Sequence, residues 1–457
     1  MRPWTASAWI QAILAASWLA CGGGGGTGTP PPVVPAKAWT PPVATPGYYF
    51  ADRIGGQVYG ADGAGNRHLL LVASSGGGMR LFARRYPAAG QGWQSDVALQ
   101  TSQAEASAPY LSVASDGGAV AVWRETLDAD VRILAARYLP DSGWSAPQEL
   151  AAGIWDYSFA GREGRALLVL WDRPNRAMSA RRFSAAGGWS SQEALPSTPL
   201  NDVLEIRSAI DASGNGLVLW SVTTGGLDAP VWASACTASG GWTAAKALNQ
   251  ESTVLGTAGY YPRVAMRSTG EALVTWAQFA DAGFPAIAQG TYYRTYAPAS
   301  GWSAPEYAMA DVVQVLALGE NGKAASAGLR PNPHLANAVF QVQTAFFSGT
   351  RWSSHGTLAA GAFSGSSLGA GQSSLVADGA GNFHLGFIAA HSASDTRADA
   401  FYVRYDAATG QRTLPLTFDG QVSVEPGGIQ VLGLPGGTAS ALWFTGWPYG
   451  FTFSDYK

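Results

Sequence analysis

An all-β fold is the class this sequence predicts, and three observations carry it. One turn-and-strand unit recurs along the chain at a spacing of roughly 50 residues, the mark of a repeat architecture. Its 457 residues include 58 Gly and 26 Pro, together about 18% against a usual share near 12%. Turn formers at that density suit many short strands and not a helical bundle. Hydrophobic residues make up 47% and charged residues only 13%, so a core can be filled and a disordered chain is excluded. The formal charge of −3 leaves no polybasic stripe, and no nucleic-acid partner is expected.

The unit has three signals in fixed order. The first is a turn Gly followed six residues later by a large residue: Gly117 to Trp123, Gly214 to Trp220, Gly270 to Trp276, Gly437 to Trp443, Gly65 to Leu71 and Gly381 to Phe387. Gly164 to Trp171 has one extra residue, and Gly322 to Gly328 is a degenerate copy. Asp62, Asp211 and Asp378 each stand four positions ahead of an Asn, where a carboxylate can close the turn and Gly accepts its positive φ. These turns read as hairpins and not as calcium sites.

The second signal is a strand ending in Arg and an aromatic, as at Arg85-Tyr86, Arg137-Tyr138, Arg182-Phe183 and Arg404-Tyr405. Cys236 takes the aromatic's slot in its own copy and is expected to be a buried filler. The third signal begins at Trp93, Trp144, Trp189, Trp242, Trp302 and Trp352, with a worn copy at Arg412. With the apolar run before each turn Gly, every copy supplies four strands, and four strands per radial repeat is the β-propeller blade. The last copy stops after its third strand, while Trp39-Thr-Pro-Pro-Val-Ala-Thr near the start reads as the missing fourth. Fourth strands at 39, 93, 144, 189, 242, 302, 352 and 412 predict eight four-stranded blades, with the N-terminal strand closing the last. Seven blades is the alternative, should one weak copy be a loop.

Residues 1–20 have the charged start, short apolar stretch and small residue of a secretory signal peptide. Residues 21–37 form a Gly- and Pro-rich tether, and 38–457 the propeller domain. Cys21 followed by Gly22 to Gly26 resembles the bacterial lipoprotein signal, with Trp18 where that signal carries Leu, Val or Ile. The resemblance implies lipidation of Cys21 and an outer-membrane lipoprotein facing the periplasm or the surface, touching the membrane through the lipid only. Ordinary cleavage would instead release a secreted protein. Cys236 is then left without a partner, so neither a disulfide nor a cysteine metal site is expected.

Ala209-Ile-Asp-Ala-Ser-Gly-Asn-Gly-Leu-Val-Leu-Trp220, together with Arg137-Tyr138 leading to Gly143-Trp144, resembles the repeats of bacterial secreted and lipoprotein β-propellers, distantly like sialidase-type Asp-box propellers. The resemblance implies fold far more than function, since propellers host enzymes, lectins and scaffolds. Asp141-Ser142-Gly143-Trp144 lacks the Asp-box spacer, and Asp52-Arg53-Ile54-Gly55 lacks the aromatic and Pro that flank the sialidase Arg. Gly365-Ser366-Ser367-Leu368-Gly369 spells a nucleophile elbow but sits in a small-residue loop without the helix that motif needs. His68 and His384 read as strand residues, and Glu125, Asp128, Asp130 and Asp172 as solvated loop faces. No catalytic residue, metal ligand or cofactor is assigned.

Loops 249–263, 277–290 and 359–372 are long while others are short, which predicts an asymmetric rim around the ring's mouth. Trp155, Tyr157, Tyr260, Tyr261 and Phe284 are the candidate ligand-binding rings there; the alternative is that they cap blade ends. The expected function is a non-enzymatic binding or interaction module of the cell envelope, a monomer whose ligand is a glycan or an envelope protein. A glycoside hydrolase or lyase with acids at the mouth, and a protein-binding scaffold, are the alternatives.

Overall fold

Each copy of the repeat folds as one antiparallel sheet of four or five strand segments, and eight such sheets form an eight-bladed β-propeller. The inner strands of blades 1 to 8 are Ile54–Ala61, Glu105–Val113, Asp156–Arg162, Asp202–Ile210, Gly259–Met266, Val312–Leu318, Ser373–Ala377 and Ile429–Leu434. Each lies against the inner strand of the next blade, and the eighth returns to the first. The computed structural model describes residues 38–40, 43–44 and 54–457, without positions 76, 91, 101 and 414 and the segments 197–201, 224–229, 250–258, 279–289, 332–338, 359–362, 365–372, 391–396, 419–421, 424–427 and 446–449. The face where inner strands begin is called upper here, and the face of their turns into the second strands lower. Among the described residues no helix is long and apolar enough to cross a membrane.

The Gly-to-Trp signal is the second strand of each blade. Both faces of that strand are covered by neighbouring blades, so it is a continuous apolar run and not an alternating one. Every residue of Ala272–Gln278 is buried, and Trp123, Trp171, Trp220, Trp276 and Trp443 are among the largest wholly buried side chains. Trp171 with Leu167 and Val169 packs on Ile206, Val218 and Trp220 of the next blade. The extra residue before Trp171 has a local cause: Glu163-Gly164 is a two-residue hairpin, both at positive φ, where other blades turn through more residues.

The turn carboxylates act as the spacing predicts. Asp62 Oδ1 accepts the N–H groups of Ala64 (3.0 Å) and Asn66 (2.8 Å), while its Oδ2 accepts the Asn66 side-chain amide at 2.7 Å. Asn66 Oδ1 in turn accepts the N–H of Ala88 (3.0 Å), beyond the third strand. Asp211-Asn215-Ala238 and Asp378-Asn382-Ala407 repeat this link. The clamp thus ties both lower turns of a blade together.

The Arg-aromatic signal joins blades. The Arg85 guanidinium lies 5.9 Å from the Tyr138 ring of blade 2, and that of Arg137 lies 5.8 Å from Phe183 of blade 3. Blade 4 has Cys236, buried as expected, in place of the aromatic. Arg182 there donates instead to the carbonyls of Thr237 (2.7 Å) and Gly240 (2.7 Å). The outer Trp residues cover the same aromatics, as in Tyr138–Trp144 and Phe183–Trp189, both at 5.4 Å.

Ring closure uses the predicted N-terminal strand. Val43 and Ala44 pair with Phe453 and Thr452, and Trp39 bridges to Tyr456. Thr40 donates its N–H to the Asp455 carbonyl at 2.8 Å, and its hydroxyl accepts the Asp455 N–H at 3.0 Å. Arg67 of blade 1 meets the Asp455 carboxylate with one Nη2 2.5 Å from both oxygens, both side chains buried. Eight blades form, and the seven-bladed alternative falls away.

Three of the four acids expected on loops lie within strands, Asp130 opening the third strand of blade 2 and Asp172 ending the second strand of blade 3. Glu125 is not on a solvated loop but within the second strand of blade 2, buried, accepting Trp123 Nε1 (3.0 Å) and the Ser102 hydroxyl (2.7 Å). The strand continues to Leu127, so the turn shrinks to Asp128 and its neighbour. His68 and His384 lie inside strands as read.

Candidate functional site

At the upper mouth of the ring lies a cavity of about 930 Å³, walled by the inner strands of blades 2 to 7. Five of the ring's inner strands, those of blades 1, 2, 4, 5 and 6, are not regular. Pairing slips by one residue at Gly55, Leu204 and Gln314, and by one also at Ala108-Pro109 and Tyr261-Pro262, where two residues oppose one; none of the slips lies beyond the middle of its strand. A bulge re-aims the side chain it carries. Leu204 is 50% exposed and Tyr261 45%, high values for large apolar groups on the innermost strands of a ring. Tyr261 also has φ +54°, a left-handed conformation that a bulky residue adopts only when its surroundings impose it, and one that clusters at functional sites.

Register shows which residues share a level. Opposite the residue that precedes the buried Trp, or its counterpart, stand Val58, Tyr110, Tyr157, Arg207, Arg263, Val315, Ser374 and Gln430 in blades 1 to 8. Blades 2 to 5 therefore present two phenols and two guanidinium groups as one arc. The opposite arc is small or apolar, except for Gln430, which is committed to ring closure through the N–H of Tyr59 (2.6 Å) and the carbonyl of Gln57 (2.9 Å).

A single carboxylate oxygen organises the arc's charge. Glu205 Oε1 accepts Arg263 Nη1 at 2.7 Å and also Arg207 Nη2. Arg263 also donates Nε to the Gln314 carbonyl (2.6 Å), Nη1 to that of Pro262 (2.8 Å) and Nη2 to Gln314 Oε1 (3.4 Å), so four of its five N–H groups are taken. Burial pushes the Arg263 pKa down and Arg207 pushes the same way, against the pull of Glu205. Arg207 is the more open of the two, its side chain 38% exposed, with the Ile206 carbonyl at 2.9 Å as its other partner. Burial raises the Tyr110 pKa, and Arg207 and Arg124 pull it back, which places both cations near that ring. Hydroxyls complete the wall: Ser158 and Ser208 bond each other at 2.9 Å, and the buried Ser373 Oγ has no partner.

The predicted rings divide between roles. Tyr260 and Tyr261 line the cavity. Tyr157 donates to the Ala108 carbonyl and packs edge-on to Tyr110 at 5.4 Å, so it supports the wall. Trp155 is 49% exposed on the upper face, with the Arg124 guanidinium 5.6 Å from its ring centre and Arg124 Nη1 bonded to its carbonyl at 2.8 Å. Phe284, most of the three long loops and Cys21 lie outside the described residues. Leu204, Glu205, Arg207 and Arg263 were not singled out from the sequence. A Pro inside an inner strand, at Pro109 and Pro262, was the available signal, because Pro within a sheet marks a bulge.

Near the lower end, an ion pair reaches between blades. Arg162 of blade 3 donates to Glu320 of blade 6 (2.6 Å) and to the Met266 carbonyl of blade 5 (2.7 Å). Burial raises the Glu320 pKa, but hydrogen bonds from Ser268 and Arg162 outweigh it and hold the carboxyl below its usual range. A second crevice of about 390 Å³ lies at the lower face between blades 3 and 4, where Arg182 is occupied by carbonyls and by Glu193 at 2.5 Å. Among the described residues no group of three or more His, Cys, Asp or Glu is placed to hold a metal.

These features define the class: an eight-bladed β-propeller with an asymmetric, arginine-bearing mouth. No family model matches the chain, and no curated protein matches its sequence. Solved structures similar to it include an α-L-arabinanase of Penicillium chrysogenum complexed with arabinobiose, at 11% identity and TM-score 0.41, covering 92% of this chain and 97% of that one. The β-propeller domain of the trilobed protease of Pyrococcus furiosus is similar at 8% identity and TM-score 0.44, covering 79% and 97%. The polysaccharide lyase Uly1 is similar at 11% identity and TM-score 0.46, covering 76% and 89%. Likeness at these levels concerns fold, and no activity transfers with it.

Proposed function

We propose that this chain is an exported β-propeller that binds carbohydrate at the mouth of its ring without turning it over, held at the cell envelope by a lipid on Cys21. The observation that carries the binding reading is the pair of bulges that turn Tyr261 and Leu204 into the 930 Å³ cavity. Sugars present apolar C–H faces edged with hydroxyls, and an exposed ring beside hydroxyls and guanidinium groups complements both. Strain at Tyr261 supports the same reading, since backbone held in a costly conformation is retained where a side chain must point one way. Glu205 is shared between two arginines and serves as their anchor. Glycoside hydrolysis by paired carboxylates would need a second acid at a set separation, and Glu205 is the one carboxylate among the described lining residues.

Affinity electrophoresis through immobilised polysaccharides, run beside a panel of chromogenic glycosides, tests the proposal. Retention without product release is expected. Tyr261→Gly and Trp155→Ala should each weaken retention at least about tenfold with no fall in melting temperature, because both rings are half exposed and glycine relieves the positive φ. Released product would replace the binding reading by an enzymatic one, and silence in both assays would favour a protein-binding scaffold. For the anchor, cells fed a labelled fatty acid should label the protein, and Cys21→Ala should abolish that label; a labelled variant would refute lipidation at Cys21.

A further inference from the structure

We propose that the saccharide bound at the mouth carries an acidic group, a carboxylate or a sulfate ester, and that Arg207 receives it. This rests on the binding reading above and names its ligand class. Two guanidinium groups at the same level of adjacent blades share one oxygen of one carboxylate, so the arc keeps an excess positive charge. The two arginines are not equivalent. Arg263 is the more buried and spends four of its five N–H donors on Glu205, Gln314 and Pro262, which fixes Glu205 in place. Glu205 then fixes Arg207, whose two bonds leave further N–H donors of its five for a ligand.

Among the described residues that line the cavity no other charge offsets the excess. Arg173 and Asp202 pair with each other at 3.1 Å, and Glu125 is buried under Trp123, Ser102 and, at 3.9 Å, Arg132. Arg124, near Tyr110, adds positive charge; its hydrogen bonds among the described residues go to Ser107 and the Trp155 carbonyl, and its guanidinium faces the Trp155 ring. Asp156, beside Trp155, lies at the edge of blade 3 and not on the cavity wall. A second observation points to a ligand in the same cavity: the Ser373 hydroxyl of blade 7, 8% exposed and without a partner among the described residues, belongs to its lining, and a buried unpaired hydroxyl is costly unless something arrives to bond it. Planar guanidinium donors match carboxylate and sulfate oxygens in pairs, which gives orientation as well as attraction. Neither arginine belongs to the Asp52-Arg53-Ile54-Gly55 string weighed in the sequence.

The test compares the intact protein's retention on polygalacturonate, alginate, hyaluronate and chondroitin sulfate with that on carboxyl-reduced or desulfated forms of the same polymers and on neutral glucans. Retention on at least one acidic polymer is expected, at least about tenfold stronger than on its neutralised form and falling between 50 and 500 mM salt. Loss on carboxyl reduction identifies a carboxylate, and loss on desulfation a sulfate. Arg207→Gln should remove the preference for acid, bringing retention of the acidic polymer down to that of its neutralised form, and Arg207→Lys should restore part of the difference. Should Arg207→Gln fail to fold, the neutralised polymers and the salt series on the unaltered protein decide alone. Equal retention of acidic and neutralised forms overturns this inference but leaves carbohydrate binding standing; no retention on any polymer overturns both.

Discussion

His68 and His384 occupy corresponding places in blades 1 and 7, three residues after the turn Gly, yet their neighbours give them different work. His384 is wholly buried between the Tyr402 hydroxyl at 2.7 Å and the Asp378 carboxylate at 2.9 Å, so it extends the turn clamp inward. His68 lies edge-on to Tyr138 at 4.8 Å, and burial, reinforced by Arg85, lowers its pKa to about 4. Folded protein therefore holds His68 neutral at a pH where the unfolded chain, near 6.5, has begun to protonate. A depressed histidine contributes stability that is full above about 6.5 and is lost as pH falls towards 4, of order 3 kcal/mol. His68→Phe should flatten the fall in urea midpoint across that window; an unchanged slope would place the acid sensitivity elsewhere. Neither role could be read from the sequence, where both residues are simply a histidine in a strand.

The Asp-x-x-x-Asn turn is the element most fully legible beforehand. Its spacing predicted a carboxylate closing a hairpin, and three copies do so through the same atoms. What the spacing could not show is the third partner, the N–H beyond the third strand that the Asn oxygen accepts. Asp211→Ala would leave the Asn215 N–H and side-chain amide without their carboxylate acceptor and should cost about 1–3 kcal/mol in denaturant unfolding, with added calcium having no effect on the unaltered protein. Calcium stabilisation would instead mean that the turn is a metal site. The inner strands were the least legible elements. Their bulges depend on how each strand pairs with its neighbour, and only the Pro residues at 109 and 262 betrayed two of the five.

At the scale of the ring, closure joins a buried ion pair to the N-terminal strand. Arg67 and the Asp455 carboxylate are buried together, with Arg67 also 5.0 Å from the Phe453 ring and Lys457 approaching Asp455 at 3.3 Å from solvent. Arg67→Met should strand a buried carboxylate and lower stability by about 3–5 kcal/mol, while Arg67→Met with Asp455→Leu should recover most of it. A single variant as stable as the unaltered protein would show that the N-terminal strand alone holds the ring shut. Blade number, strand order and this closure followed from the sequence, because they depend on local periodicity: a turn glycine, a buried strand and an outer Trp recur in every copy, and each signal lies within one hairpin. The mouth did not follow. Arg207 and Arg263 are 56 positions apart in the chain and meet at Glu205 only because two blades set their inner strands side by side. Repetition along the chain encodes the ring and sets Arg207 and Arg263 at one level, each thirteen residues before its buried Trp, but their junction at Glu205 and the bulges that turn Leu204 and Tyr261 inward depend on how neighbouring strands pack, and that was left to the tertiary structure.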